Sequence, residues 1–257
     1  MSGGRAKLVV SVGGGGRSEG FRALETEEAA ASLVSQVAAF VRDTDARIDG
    51  LDLDNEAIRS QVDLQHFLRF LRLLRLELPR PFELSAAIHV GQEQLLVPLL
   101  APKVDFINLM AYDLPPTAPG KTNGLPNLGH SSLAAVSVIL RKLAAAKAPM
   151  HQIRLGVPLY FRSLSSPQES KTWSELVDAK YVEAGSDTTT SGPGLWAGNG
   201  VDTVRAKVRL AKKYHLGGVF VWEMGQDTAP DHPMSLISAM GAELHHHDTL
   251  EDVKDEL

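Results

Sequence analysis

The chain has 257 residues, 44% of them hydrophobic and 22% charged, and a net charge of −5. This is an ordinary globular composition, and an acidic balance with no basic stripe argues against a nucleic-acid partner. The lack of Cys excludes disulfides and thiolate metal sites, and no window approaches the ~18 uncharged apolar residues of a membrane span.

In chain order, short β-rich runs are predicted at Lys7–Val12, Ile48–Asp54, Phe82–Ile88, Val104–Met110, Ile153–Leu159 and Gly217–Trp222. Each is followed by a segment of helical character, at about 26–42, 61–78, 91–100, 131–147, 201–215 and 233–243. In the second, Leu64, Phe67, Leu68, Leu71, Leu74 and Leu78 recur at three- and four-residue steps behind an N-cap candidate, Ser60. Strands alternating with helices imply a parallel sheet with right-handed crossovers. Six βα units in one run, with polar residues at strand ends, favour an α/β fold of the TIM-type (β/α)8 class over a doubly wound sheet. The run Gly13-Gly14-Gly15-Gly16 lacks the Gly-x-Gly-x-x-Gly pattern of a dinucleotide site and reads as a loop where a ligand approaches backbone. The Ser-, Thr- and Gly-rich stretch 161–200 is expected to lack clear structure and to sit over the catalytic face. Residues 1–243 are assigned to the barrel and 244–257 to an acidic tail that begins with His245-His246-His247, read as solvated and not as a metal site.

The most informative segment is Asp49-Gly50-Leu51-Asp52-Leu53-Asp54-Asn55-Glu56. On a strand, Asp52, Asp54 and Glu56 point one way and Leu51 and Leu53 the other, with neighbours on the acidic row roughly 6.5–7 Å apart. Like charges so close, part-shielded from water, favour retention of a proton on one of them, and a carboxylic acid held protonated is a general acid. Glycoside hydrolysis uses such groups around an oxocarbenium-like transition state. An acidic loop would not account for the alternating leucines. A calcium loop counted from Asp52 would need Gly and Glu where Ala57 and Asp63 stand.

These motifs together resemble family 18 of the glycoside hydrolases, the chitinase family. Positions 49–56 fill every specified place of its Asp-Gly-x-Asp-x-Asp-x-Glu strand. Ser11-Val12-Gly13-Gly14 resembles its Ser-x-Gly-Gly strand, with Phe21 a little beyond, and Met110-Ala111-Tyr112-Asp113 its Met-x-Tyr-Asp strand. Residues Gly156–Arg162 resemble the seventh strand, with Phe161 in place of the usual Gly, and Gly217–Asp227 the eighth.

The resemblance implies substrate-assisted hydrolysis of chitin or another oligosaccharide containing N-acetylglucosamine, with no metal or organic cofactor. Glu56 would be the acid and then the base, Asp54 would hold the acetamido group, and Asp52 would tune Asp54. Tyr112 would donate to the acetamido oxygen beside Asp113. Met110, Tyr160 and Arg162 would contact substrate, and Trp222 would floor a sugar ring unless it is a core tryptophan. The alternative is a non-catalytic chitin-binding lectin or an inactive product, because the family's first two βα units have no counterpart ahead of Lys7. The short 161–200 segment implies a shallow groove. Lys254-Asp255-Glu256-Leu257 matches an endoplasmic-reticulum retrieval signal, while Met1–Arg5 lacks the apolar stretch of a signal peptide. The expected location is therefore the secretory pathway if a leader lies upstream, and otherwise the cytoplasm.

Overall fold

All six predicted strands form. The computed structural model describes residues 5–44, 47–114 and 129–246. The retrieval-signal match at Lys254–Leu257 and the third histidine, His247, lie outside the described residues. The elements of the main repeat are β1 (Val9–Gly13), α1 (Glu27–Asp43), β2 (Gly50–Asp54), α2 (Gln61–Glu77), β3 (Glu83–His89), α3 (Glu93–Leu100), β4 (Phe106–Met110), α4 (Leu133–Ala145) and β5 (Ile153–Pro158). It then continues through β6 (Tyr160–Ser163), β7 (Ser170–Thr172), α5 (Trp173–Asp178), β8 (Trp196–Ala197), α6 (Val201–Lys213), β9 (Gly218–Trp222) and α7 (Leu236–His245). The larger sheet runs β1-β2-β3-β4-β5-β9, the strand–helix repeat of a TIM-type barrel, with six βα units among the described residues.

The chain divides into two compact units. The first holds residues 1–110 and 145–154. Its strands pair in parallel, with Ser11, Asp52 and Ser85 abreast on β1, β2 and β3. Leu51 and Leu53 are buried on one face of β2, as are Leu84, Ala86 and Ile88 on β3. Ser60 caps α2 by accepting from the Asp63 N–H at 3.1 Å, and Leu64, Phe67, Phe70, Leu71 and Leu74 form the buried stripe of that helix. Two ion clusters fasten the strand starts. Asp105 accepts from Arg75, Arg80 and the Leu84 N–H, and the buried Glu83 pairs with Lys7 and Arg154.

The second unit, residues 111–144 and 155–257, corrects the expectation for 161–200. That segment is ordered into an antiparallel sheet, β7-β6-β8, and the short helix α5, whose Thr172–Glu175 capping box is complete. Its core is apolar: Phe161 stacks on Trp173 with centroids 5.6 Å apart, and Val157, Leu159, Leu176 and Trp196 surround them. Phe161 fits because residue 198 is Gly, where a Cβ would stand 2.3 Å from the Phe161 ring. Composition hid this structure, because its strands are only two to four residues long. Asp227 caps α7 by accepting from the Leu236 and Ile237 N–H groups, at 3.0 and 2.8 Å.

Lys207 lies on the buried stripe of α6 with Val204, Val208 and Ala211. Among the described residues its amino group has no carboxylate at ion-pair distance, and it donates to Ser131 Oγ and Asn199 Oδ1, both at 2.6 Å. Burial pushes its pKa down to about 7, against a small opposing pull from Asp187. Between about 7 and the ordinary value of 10.5 the unfolded chain holds a proton that the folded chain does not, so stability rises with pH across that window. Lys207→Met should therefore melt above the parent near pH 7, with the difference shrinking toward pH 10. Parallel melts across that range check this, and a pH-independent difference contradicts it.

Candidate active site

The site residues fall into two groups, one in each unit. In the first, β2 ends at Asp54, so Glu56 lies just past the last paired residue and the acidic row is only partly on the strand. Asp52 is held by three side chains. Ser85 Oγ donates to Oδ1 at 2.6 Å, Asn108 Nδ2 to the same oxygen at 2.8 Å, and Ser11 Oγ to Oδ2 at 2.9 Å. The parallel register makes this possible, since side chains abreast on parallel strands share a face. Asp54 is 9% exposed, and its Oδ1 is buried without a hydrogen-bond partner among the described residues. Desolvation, then the charges of Glu56 and Asp52, raise its pKa to about 6, with a smaller opposing pull from His89.

The glycine run serves this strand. Gly13, Gly14 and Gly16 have φ of 109°, 90° and 71°, a region that side chains with a Cβ rarely adopt. A Cβ on Gly13 would stand 2.2 Å from the Asp54 carbonyl oxygen, and one on Gly14 would stand 3.3 Å from Asp54 Oδ2. The Gly14 N–H donates to that carbonyl at 2.8 Å. What comes close to this backbone in the structure is the end of β2. The buried hydroxyl of Ser18, which sequence reasoning missed, lies 3.0 Å from the Asp54 carbonyl and 3.1 Å from that of Gly14, and accepts from the Glu56 N–H at 3.0 Å. Ser18 thus fixes the backbone that carries Glu56. His89, at the end of β3, was also missed; its Nε2 lies 3.4 Å from Glu56 Oε2. Met110 ends β4 and is buried.

In the second group Tyr112 is buried, and its ring meets those of Tyr160 and Phe220 edge-on at 6.5 and 6.4 Å. Asp113 has φ 54°, the sharp turn expected beyond the strand. Arg162 grips its carboxylate bidentately, Nε to Oδ1 at 2.8 Å and Nη2 to Oδ2 at 2.7 Å, and gives Nη1 to the Gln168 carbonyl at 3.3 Å. Burial opposes the Asp113 charge, but hydrogen bonds from Arg162 and Tyr160 outweigh it and hold the carboxyl well below its ordinary range. Burial and the Asp113 charge push the Tyr160 phenol up, so it stays protonated. His130, another residue the sequence did not reveal, stacks on Tyr160 at 4.8 Å, and its Nδ1 lies 3.1 Å from the Asp113 backbone nitrogen. Trp222 is 51% exposed, which removes the reading of a core tryptophan. Among the described residues no cluster of His, Asp and Glu is arranged to hold a metal ion.

The family model of the family 18 glycosyl hydrolases matches residues 2–227. The chain belongs to that family. Its fold is similar to that of a class V chitinase mutant from Cycas revoluta in complex with (GlcNAc)3, at 22% identity and a TM-score of 0.75, over 93% of this chain and 80% of that one. The class V chitinase of Nicotiana tobaccum is similar at 19% identity and a TM-score of 0.75, over 94% and 81% of the two chains. So is a chitinase-like agglutinin from Robinia pseudoacacia, at 21% identity and a TM-score of 0.73, over 93% and 81%. At these identities the likeness is one of fold.

The raised Asp54 carboxyl has a sign that can be tested. Between about 3.8 and 6 the folded chain binds a proton that the unfolded chain does not, so this group's contribution to stability is lost as pH rises through about 6. Asp54→Asn should melt above the parent at pH 7–8 and converge with it near pH 4. A variant less stable than the parent at pH 8 contradicts the assignment.

Proposed function

We propose that this family 18 glycoside hydrolase cleaves β-1,4-linked N-acetylglucosamine polymers, chitin and its oligosaccharides, by substrate-assisted retaining catalysis. The observation that carries the reading is the graded row along β2 and just past its end: a fixed Asp52, a buried Asp54 with one oxygen unpartnered among the described residues, and a part-exposed Glu56. Glu56 gives its proton to the glycosidic oxygen as the bond from that oxygen to C1 breaks. The 2-acetamido carbonyl oxygen of the same sugar bonds to C1 from the opposite face, and the positive charge rests on an oxazolinium ring. Asp54 Oδ1, which has no donor among the described residues, accepts the acetamido N–H and faces the developing charge. Water then attacks C1, Glu56 takes the water's proton, and the ring opens to product with the acid regenerated.

By its place in the Met-x-Tyr-Asp motif, Tyr112 donates its hydroxyl to the acetamido oxygen. Arg162 is engaged by Asp113, so its part is to hold that carboxylate beside Tyr160 and not to meet the sugar directly. The exposed face of Trp222 suits stacking under a sugar ring. The chain of scaffold likenesses includes proteins whose names describe chitinase and agglutinin alike, and retention of Glu56 favours the hydrolase.

Glu56→Gln should abolish turnover of a fluorogenic chitooligosaccharide while leaving calorimetric binding of chitotetraose nearly intact. General acid–base catalysis contributes about 10²–10⁴-fold, so residual activity above about a tenth of the parent's contradicts the role of Glu56. Binding without turnover in the parent itself would mark the chain as a carbohydrate-binding protein. A thiazoline analogue of the oxazolinium ion should inhibit the parent competitively, because it resembles the intermediate more than the substrate. A covalent glycosyl adduct on Asp52 or Asp54 would refute the substrate-assisted scheme.

A further inference from the structure

Tyr112 is flanked by two backbone groups, and consecutive residues of one segment engage both. Ser131 Oγ donates to the Ala111 carbonyl at 2.5 Å, on the N-terminal side of Tyr112. On the C-terminal side, the Asp113 N–H donates to His130 Nδ1 at 3.1 Å and the Leu114 N–H to the His130 carbonyl at 2.9 Å. The His130 Nε2 lies 3.2 Å from the Tyr160 carbonyl, which fixes the ring in its plane.

Behind this segment stands the buried amino group of Lys207. The Ala111 carbonyl can only accept, so the single hydroxyl proton of Ser131 goes to it. Ser131 Oγ therefore accepts from Lys207, whether that amino group is charged or neutral. Asn199 completes the arrangement: its Nδ2 donates to the carbonyls of Ser131 and Gly198, at 3.0 and 2.8 Å, and its Oδ1 turns to Lys207. Ser131 and Lys207 are wholly buried and Asn199 is 1% exposed, so water does not compete for these bonds.

We infer that Lys207 and Ser131 are positioning residues for Tyr112, a one-way chain of hydrogen bonds from the α6 lysine through the Ser131 hydroxyl to the backbone that aims the tyrosine at the substrate. The inference rests on the proposed role of Tyr112 in holding the acetamido oxygen. A misplaced catalytic group costs turnover more than affinity, since geometry matters most where bonds are forming.

The test is a double-mutant cycle on the full chain with Ser131→Ala, Lys207→Met and the pair, assayed with chitotetraose, beside amide hydrogen exchange at Asp113 and Leu114. Each single variant should lower kcat by about tenfold or more with KM changed by less than about threefold, and the pair should be no worse than the stronger single, because both act through one contact. Exchange at the two amides should quicken by about tenfold in each. Multiplying losses in the cycle, or kcat within twofold of the parent in Lys207→Met, overturns the inference. Lys207→Met removes a buried charge and should fold even if Ser131→Ala does not. If the parent itself lacks turnover, the proposed function fails and exchange decides alone: unchanged rates at Asp113 and Leu114 in Lys207→Met overturn the pinning.

Discussion

The structure depends on keeping the carboxyl group of Asp54 out of water in the company of two other acids. A strand is the simplest scaffold for this, because alternation gives one face to the carboxylates and the other to Leu51 and Leu53, which are buried in the core. The cost of such crowding is contained by fixing one member. Asp52 takes hydrogen bonds from three side chains on three strands, Ser11, Ser85 and Asn108, and cannot swing away from its neighbour. The close fit of the glycine loop follows from the same requirement, since Gly13 and Gly14 leave room for the Asp54 carbonyl and carboxyl where a Cβ would intrude.

Asp54 and Asp113 show how one chain sets two aspartates in opposite ways. Both lose solvation, which alone would raise both. Asp54 has acids for neighbours and one oxygen without a partner among the described residues, and it goes up. Asp113 has a bidentate guanidinium and the Tyr160 hydroxyl for donors, and it goes down. Carboxyls pushed apart in this manner take different roles in acid–base chemistry. Asp54 is suited to take part in charge and proton changes near neutral pH. Asp113 is a fixed anion that orders Arg162, Tyr160 and the turn after Tyr112.

The βα repeat was legible in the sequence because buried parallel strands and amphipathic helices write distinct periods. Ser60 as a cap, the alternation around Asp52 and the turn at Asp113 could be read in the same way. What escaped was contact made across the chain. Ser18, His89 and His130 carry no local pattern, and each acts through residues 17 to 38 positions distant. Lys207 left a trace, a charged residue on the Val204–Val208–Ala211 stripe, which a strict reading of helix periodicity would have marked as buried. The 161–200 segment misled because its order comes from packing Phe161, Trp173 and Trp196 and not from long regular elements.

The central claim is that burial and like charge keep Asp54 protonated far above the range of an ordinary aspartate. Carbon-13 NMR of the Asp54 carboxyl, assigned by comparison with Asp54→Asn and followed through a pH titration of the free protein, measures it directly. The account predicts an inflection near pH 6. A carboxyl that titrates near 3.8, as in an unfolded chain, would contradict it.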